Sequence, residues 1–170
     1  MFKLSKFSID FDVNKETPYF QVDTKYRVRF GMEDLNGVLL KDVVGTIFQE
    51  NQKINLIFVS EYIVQNIRRS SKSKLGKHLK IRNWKEKVVQ DEMSGEGEVY
   101  TLINDLDMNE VTKYCIQVYK GNTQAYIAFY NDDFLMYVST DVIDVISDNN
   151  EKIDKLKEKY SETYNKYYDS

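Results

Sequence analysis

Every residue of two neighbouring runs, AYIAFY (125–130) and FLMYV (134–138), is apolar or aromatic, and only NDD separates them. Side chains of a β-strand point alternately to opposite faces. A sheet built from these runs therefore has no wet side, and any fold of this chain must cover both of its faces. The preceding run YCIQVY (114–119) also reads as a strand. With KGNT and NDD as turns, residues 114–139 make a three-stranded meander. Cys115 would be a buried, inert thiol in its first strand.

The C-terminal segment is the natural cover. Between 141 and 168, Ile153, Leu156, Tyr160, Tyr164 and Tyr167 recur at 3-4-4-3 spacing, one stripe of a long helix. These tyrosines would lay their rings on the sheet, with Tyr168 off the stripe. The other reading of the tail is an aromatic patch facing a partner.

Strand signals also dominate the first half. Phe7, Ile9, Phe11 and Val13 alternate with polar residues, and Phe20, Val22, Tyr26, Val28 and Phe30 repeat the pattern after Pro18. The two runs predict an antiparallel hairpin whose wet face sets Asp10 and Asp12 against Lys25 and Arg27, worth roughly 0.2–1 kcal/mol per pair. Residues 38–49 and 54–59 are rich in Val, Ile, Leu and Phe and read as two more strands. Residues 60–69 fit either a short helix capped by Ser60 or a continuation of the second strand.

Residues 68–87 interrupt this pattern. The run RRSSKSKLGKHLKIRNWKEK carries +8 in a chain of net charge −3, which leaves −11 on all other residues. Ile81, Trp84 and Val88 at i, i+3 and i+7 suggest a helical second part with its cations on the far side. Trp84 would then anchor residues 77–92 to the core. The run as a whole reads as a solvated connector, a contact for a protein partner, or a grip on nucleic acid. In the last case the cations would displace counterions from phosphates and Trp84 would stack on a base. Against nucleic acid stands the acidic balance of everything else. The candidate partner-contacting residues are Arg68, Arg69, Lys72, Lys74, Lys77, Lys80, Arg82 and Trp84.

Signals for catalysis are sparse. His78 is the sole histidine and Cys115 the sole cysteine, so neither a zinc spacing nor a conventional triad can be assembled from several candidates. No GxGxxG, P-loop, GxSxG or HExxH pattern occurs. DFDVN (10–14) and DLDMNE (105–110) begin like calcium loops. Each then lacks the glycine and the bidentate glutamate that such a loop needs. No cofactor and no metal are expected.

Hydrophobic residues make up 42% of the 170, enough for one core, and no apolar run approaches the roughly 18 residues of a membrane helix. The first residues, MFKLSKFSIDFDV, lack the apolar centre of a signal peptide, so a cytoplasmic location without membrane contact is expected. The few Ala and Pro, with abundant Lys, Asn, Ile and Tyr, follow AT-rich codons and suggest a low-GC bacterium or its phage.

The fold predicted is α+β, mainly antiparallel, with about seven strands in one or two sheets and a long C-terminal helix packed on them. It is expected as a single domain over 1–170: a β half to about residue 67, the basic segment 68–92, and a meander plus helix over 99–168. By elimination the function expected is non-enzymatic protein binding, by a stoichiometric inhibitor such as a toxin-immunity protein or a phage protein blocking a host factor. The alternative is a nucleic-acid-associated protein using 68–87.

Overall fold

The computed structural model describes residues 1–71, 74–123 and 125–169. The chain opens with β1 (Phe2–Leu4) and β2 (Ile9–Phe11), then β3 (Arg27–Gly31), α1 (Gly37–Ile47) and β4 (Ile54–Val64). β5 (Ile67–Ser70), β6 (Trp84–Gln90) and β7 (Gly97–Leu106) follow, then α2 (Met108–Tyr119) and β8 (Tyr126–Tyr130). β9 (Leu135–Ser139), β10 (Val142–Ile146) and α3 (Asn150–Lys159) complete the order.

Eight of these strands form one antiparallel sheet in the order β3-β10-β9-β8-β4-β7-β6, with β5 also paired to β4. β4 is the axis. Its first half pairs with β8 and its last residues with β5, while β7 runs along its other edge. The fold is α+β, as predicted.

Alternation in β8, β9 and β10 meets the demand for two covers. Ile127, Phe129, Met136, Val138, Ile143 and Val145 pack with the three helices. Ala128, Leu135, Tyr137 and Ile146 face the other way, against Leu4, Phe7, Ile9 and Phe11 of the β1–β2 ribbon and the turn within it. The sheet is thus the middle of three layers.

Both crossing helices carry buried residues at i, i+3, i+4 and i+7: Leu40, Val43, Val44 and Ile47 in α1, and Val111, Tyr114, Cys115 and Val118 in α2. Asn36 caps α1 by accepting from the Val38 and Leu39 N–H groups at 3.0 and 2.9 Å. Asp107 and Glu110 form a reciprocal capping box on α2. These two segments were expected as strands. They are helices because their apolar residues repeat with the helical period and a side-chain cap precedes each. Cys115 accordingly sits on α2 rather than on a strand; it is wholly buried, and burial pushes its thiol up to about 12.

The predicted N-terminal hairpin is re-paired. β2 pairs with β1, and β3 pairs with β10. Residues 18–21 and 24–26 between them are short 3-10 turns, the first opened by Pro18. The amide of Gln21 stands in for a strand neighbour, accepting from the Asp10 N–H at 2.8 Å and donating to the Asp10 carbonyl at 2.9 Å. Asp10 pairs with Lys15 at 2.7 Å, not with Lys25. Arg27 lies 4.1 Å from the centre of the Tyr19 ring rather than opposite Asp12.

Behind those turns Arg29 and Asp144 meet across β3 and β10 in a two-pronged ion pair of 2.6 and 2.9 Å. Asp144 is fully buried. The rings of Tyr19, Phe20 and Tyr168 cover the guanidinium.

The last helix is ten residues long, because Val142–Ile146 adds a strand where the long helix was expected. Ile153, Leu156 and Tyr160 are buried as the stripe predicted, and Tyr164 packs against the same core. Tyr167 stands in solvent, 79% exposed, and Tyr168 leans on Phe20 instead.

The Tyr160 hydroxyl donates to Asp42 on α1 at 2.6 Å, and Lys159 reaches the same carboxylate at 3.0 Å. Both contacts hold the Asp42 carboxyl below its ordinary value, the tyrosine first. A depressed carboxylate stabilises the fold above its unfolded pKa and loses that contribution as pH falls through the folded one. Tyr160→Phe is expected to cost about 1 kcal/mol and to move the Asp42 titration up toward 3.8, read by NMR. An unmoved titration would remove the tyrosine as the cause.

Candidate partner-binding surface

Past the end of its pairing with β8, β4 continues with β7 as an extension flanked by β5 on one side and β6 on the other. Residues 60–64 are therefore the strand continuation, while 67–69 return as part of β5. Gln65 and Asn66, both with positive φ, turn β4 into β5, as a tight hairpin requires. The β6–β7 turn is held by Asp91, which accepts from the Met93 and Ser94 N–H groups at 2.8 Å each. The two turns are tied together by Gln90 donating to Asn66 at 2.7 Å and by Asn66 N–H donating to the Gly95 carbonyl at 2.9 Å.

The basic run is spread over this extension. Arg68 and Arg69 lie on β5 with side chains to opposite faces. Arg68 bridges Glu61 of β4 and Glu86 of β6 at 3.3 and 3.4 Å. Lys72 lies outside the described residues. Lys74, Lys77 and Lys80 surround a short turn that is not a free connector, because Leu75 and Leu79 sink into the main core and His78 meets the Tyr114 ring edge-on. Arg82 pairs with Glu110 at the start of α2, at 3.4 Å.

Residues 84–90 form an edge strand, not the expected helix. The spacing that suggested a helix also places Trp84 and Val88 on one face of a strand, with Glu86 between them. Trp84 does not anchor the core; it is 55% exposed, beside Val88 at 45% and Ile81 at 47%. The opposite face of β6 carries Lys85 and Lys87, and Lys87 stands 5.7 Å over the Phe2 ring. Among the described residues Arg69, Lys74, Lys77, Lys80, Lys85 and Lys87 form no ion pair, although acidic residues are plentiful elsewhere.

Among the described residues β6 hydrogen-bonds to β7 and to no other strand, so one row of its backbone groups faces outward. Lys85, Lys87 and Val88 join the candidate surface on this ground. Their signal in the sequence is the strand alternation of WKEKVVQ, which the helical spacing of Ile81, Trp84 and Val88 masked.

A cleft of 720 Å³ at the other end of β4 mixes Lys3, Lys6 and Lys53 with Asp105, Asp132 and Asp133, without groups converging on one point. The DLDMNE segment is a helix start: Asp107 and Glu110 cap α2, and Asp105 pairs with Lys53 at 3.1 Å. Among the described residues no three His, Cys, Asp or Glu are grouped to hold a metal, and no helix is long and apolar enough to cross a membrane. No family model, curated protein or solved structure matches the chain.

Proposed function

We propose that this chain is a non-enzymatic protein-binding module that meets its partner along β6 and the cations around it. A stoichiometric inhibitor, such as a toxin-immunity protein or a phage protein that blocks a host factor, is the role this favours. One observation carries the reading: an open edge strand presents exposed Trp84 and Val88 on one face and, on the other, Lys85 and Lys87, which form no ion pair among the described residues. Tryptophan and arginine supply much of the energy at protein interfaces, and an uncompensated charge speeds encounter with an opposite one.

The exposed Trp84 beside lysines is also what a single-stranded nucleic acid would stack upon. Such grooves line several aromatics in succession along a continuous basic track. Here a single tryptophan stands between Arg82 and Lys85, and Glu86 interrupts the lysines.

The test is capture from a nuclease-treated lysate of the source organism by the immobilised protein. The comparison is a triple variant with Trp84→Ser, Lys85→Glu and Lys87→Glu. One protein held in stoichiometric amount by the parent and released by the variant is the expected result. A partner that the variant retains, or nucleic acid bound by the parent in a parallel capture without nuclease, would overturn the proposal.

A further inference from the structure

We infer that β6 binds an extended segment of its partner as an added strand, in which acidic and apolar side chains alternate. The inference rests on the protein-binding function proposed above and specifies its chemistry.

The outward N–H and C=O groups of β6 supply the attachment, since every second residue of an edge strand points both groups away from its neighbour. Its seven residues are enough for a short added strand. The two faces then set the sequence of the guest. Side chains on the helix side would lie beside Trp84 and Val88, both half exposed, and apolar residues there would close them from water. Side chains on the other side would lie beside Lys85 and Lys87, which have no ion-pair partner among the described residues. Opposite charges directly across a strand pair attract and like charges repel. A guest with acidic residues on that side is therefore selected by charge as well as by shape.

The same lysines disfavour a second copy. Two β6 strands meeting antiparallel about Lys85, Glu86 or Lys87 would set like charges against each other. Lysines on an edge are a common device against self-pairing, and here they leave an acidic strand as the complementary occupant. Strand addition of this kind gives affinity through the backbone and specificity through alternate side chains.

The probe is a short fluorescein-labelled peptide of alternating valine and glutamate, followed by anisotropy on the full chain at low ionic strength. Its controls are the valine–lysine counterpart, a labelled single-stranded oligonucleotide, and two N-methylated forms of the acidic peptide. One carries its methyl groups on the glutamate nitrogens, the other on the valine nitrogens. Parent protein is expected to bind the acidic peptide at least about tenfold more tightly than its lysine counterpart. The double variant Lys85→Glu, Lys87→Glu is expected to reverse that order, and Trp84→Ala to weaken the acidic peptide. Both sets of side chains are exposed, so an unchanged melt will show that the fold is kept.

Strand addition further requires that one methylated form lose binding and the other keep it, because alternate N–H groups face alternate edges. Binding kept by both forms, or lost by both, would overturn the added strand. So would an oligonucleotide that outcompetes the peptide, or a homodimer that the lysine reversal dissolves. If the peptide fails while the captured partner still depends on β6, the binding function stands and the strand falls. A partner insensitive to β6 removes both.

Discussion

Asp144→Ala is expected to destabilise the protein by about 3–5 kcal/mol, the usual cost of breaking a buried ion pair on one side. The Arg29 guanidinium would remain under Tyr19, Phe20 and Tyr168 with two donors released into a site closed to water. Replacing both partners is a different matter. Arg29→Met with Asp144→Leu removes the stranded charge along with its partner, and is expected to recover most of the loss. Chemical denaturation of the two variants checks this directly. A cost below about 1 kcal/mol for Asp144→Ala would mean that water reaches the arginine.

The same pair fixes the sign of one pH effect. Burial raises the Asp144 carboxyl above 3.8, with Arg29 drawing it partly back. A carboxyl raised in the folded state favours folding most below its unfolded pKa, and that gain is lost as pH climbs through the folded value. Asp144 therefore opposes acid unfolding. The acid-labile contribution comes from carboxyls held low, such as Asp42 under Tyr160 and Lys159.

Phe11→Ala is the second large effect, at about 3–5 kcal/mol. Phe11 is 1% exposed and meets the rings of Tyr126 and Tyr100 at 5.6 and 6.3 Å. Together with Ile9 it presses the N-terminal ribbon onto the sheet, so its loss opens a cavity under a two-stranded element with little stability of its own. The loss should appear as a lower melting temperature together with binding of a hydrophobic dye, since the face built from Leu135 and Tyr137 becomes wet. Phe11→Leu should cost far less. If Phe11→Ala melts with the parent and binds no dye, the ribbon is not the cover of that face.

The need for two covers was legible in residues 125–138, because alternation within a strand is a local property. The helix-side contacts of Ile153, Leu156 and Tyr160 were legible for the same reason. What lay over the other face was not: β2 could have paired with any edge, and Gln21 satisfying Asp10 is a tertiary event. α1 and α2 were legible in principle. Asn36 before Leu40, Val43, Val44 and Ile47 is a cap followed by a helical stripe, and Asp107 with Glu110 is a capping box. β-branched residues in the first also favour a strand, and the second opens with the spelling of a calcium loop. At β6 the difficulty was one of arithmetic. Trp84 and Val88, four apart, share a face in a strand and lie close on a helix, and only Lys85 and Lys87 between them tell the two apart. The candidate surface was thus located by charge, while its geometry came from strand pairing at long range.

Cys115 gives the molecule an internal clock. As the one thiol of the chain, buried on α2 and pushed up to about 12, it is protected by both access and ionisation. A thiol reagent can reach it only in the openings that lift α2 from the sheet. The rate of labelling, divided by that of a free cysteine, then reads the population of those openings under native conditions. Each molecule takes up one label at most, so every event is counted once and needs no engineered reporter.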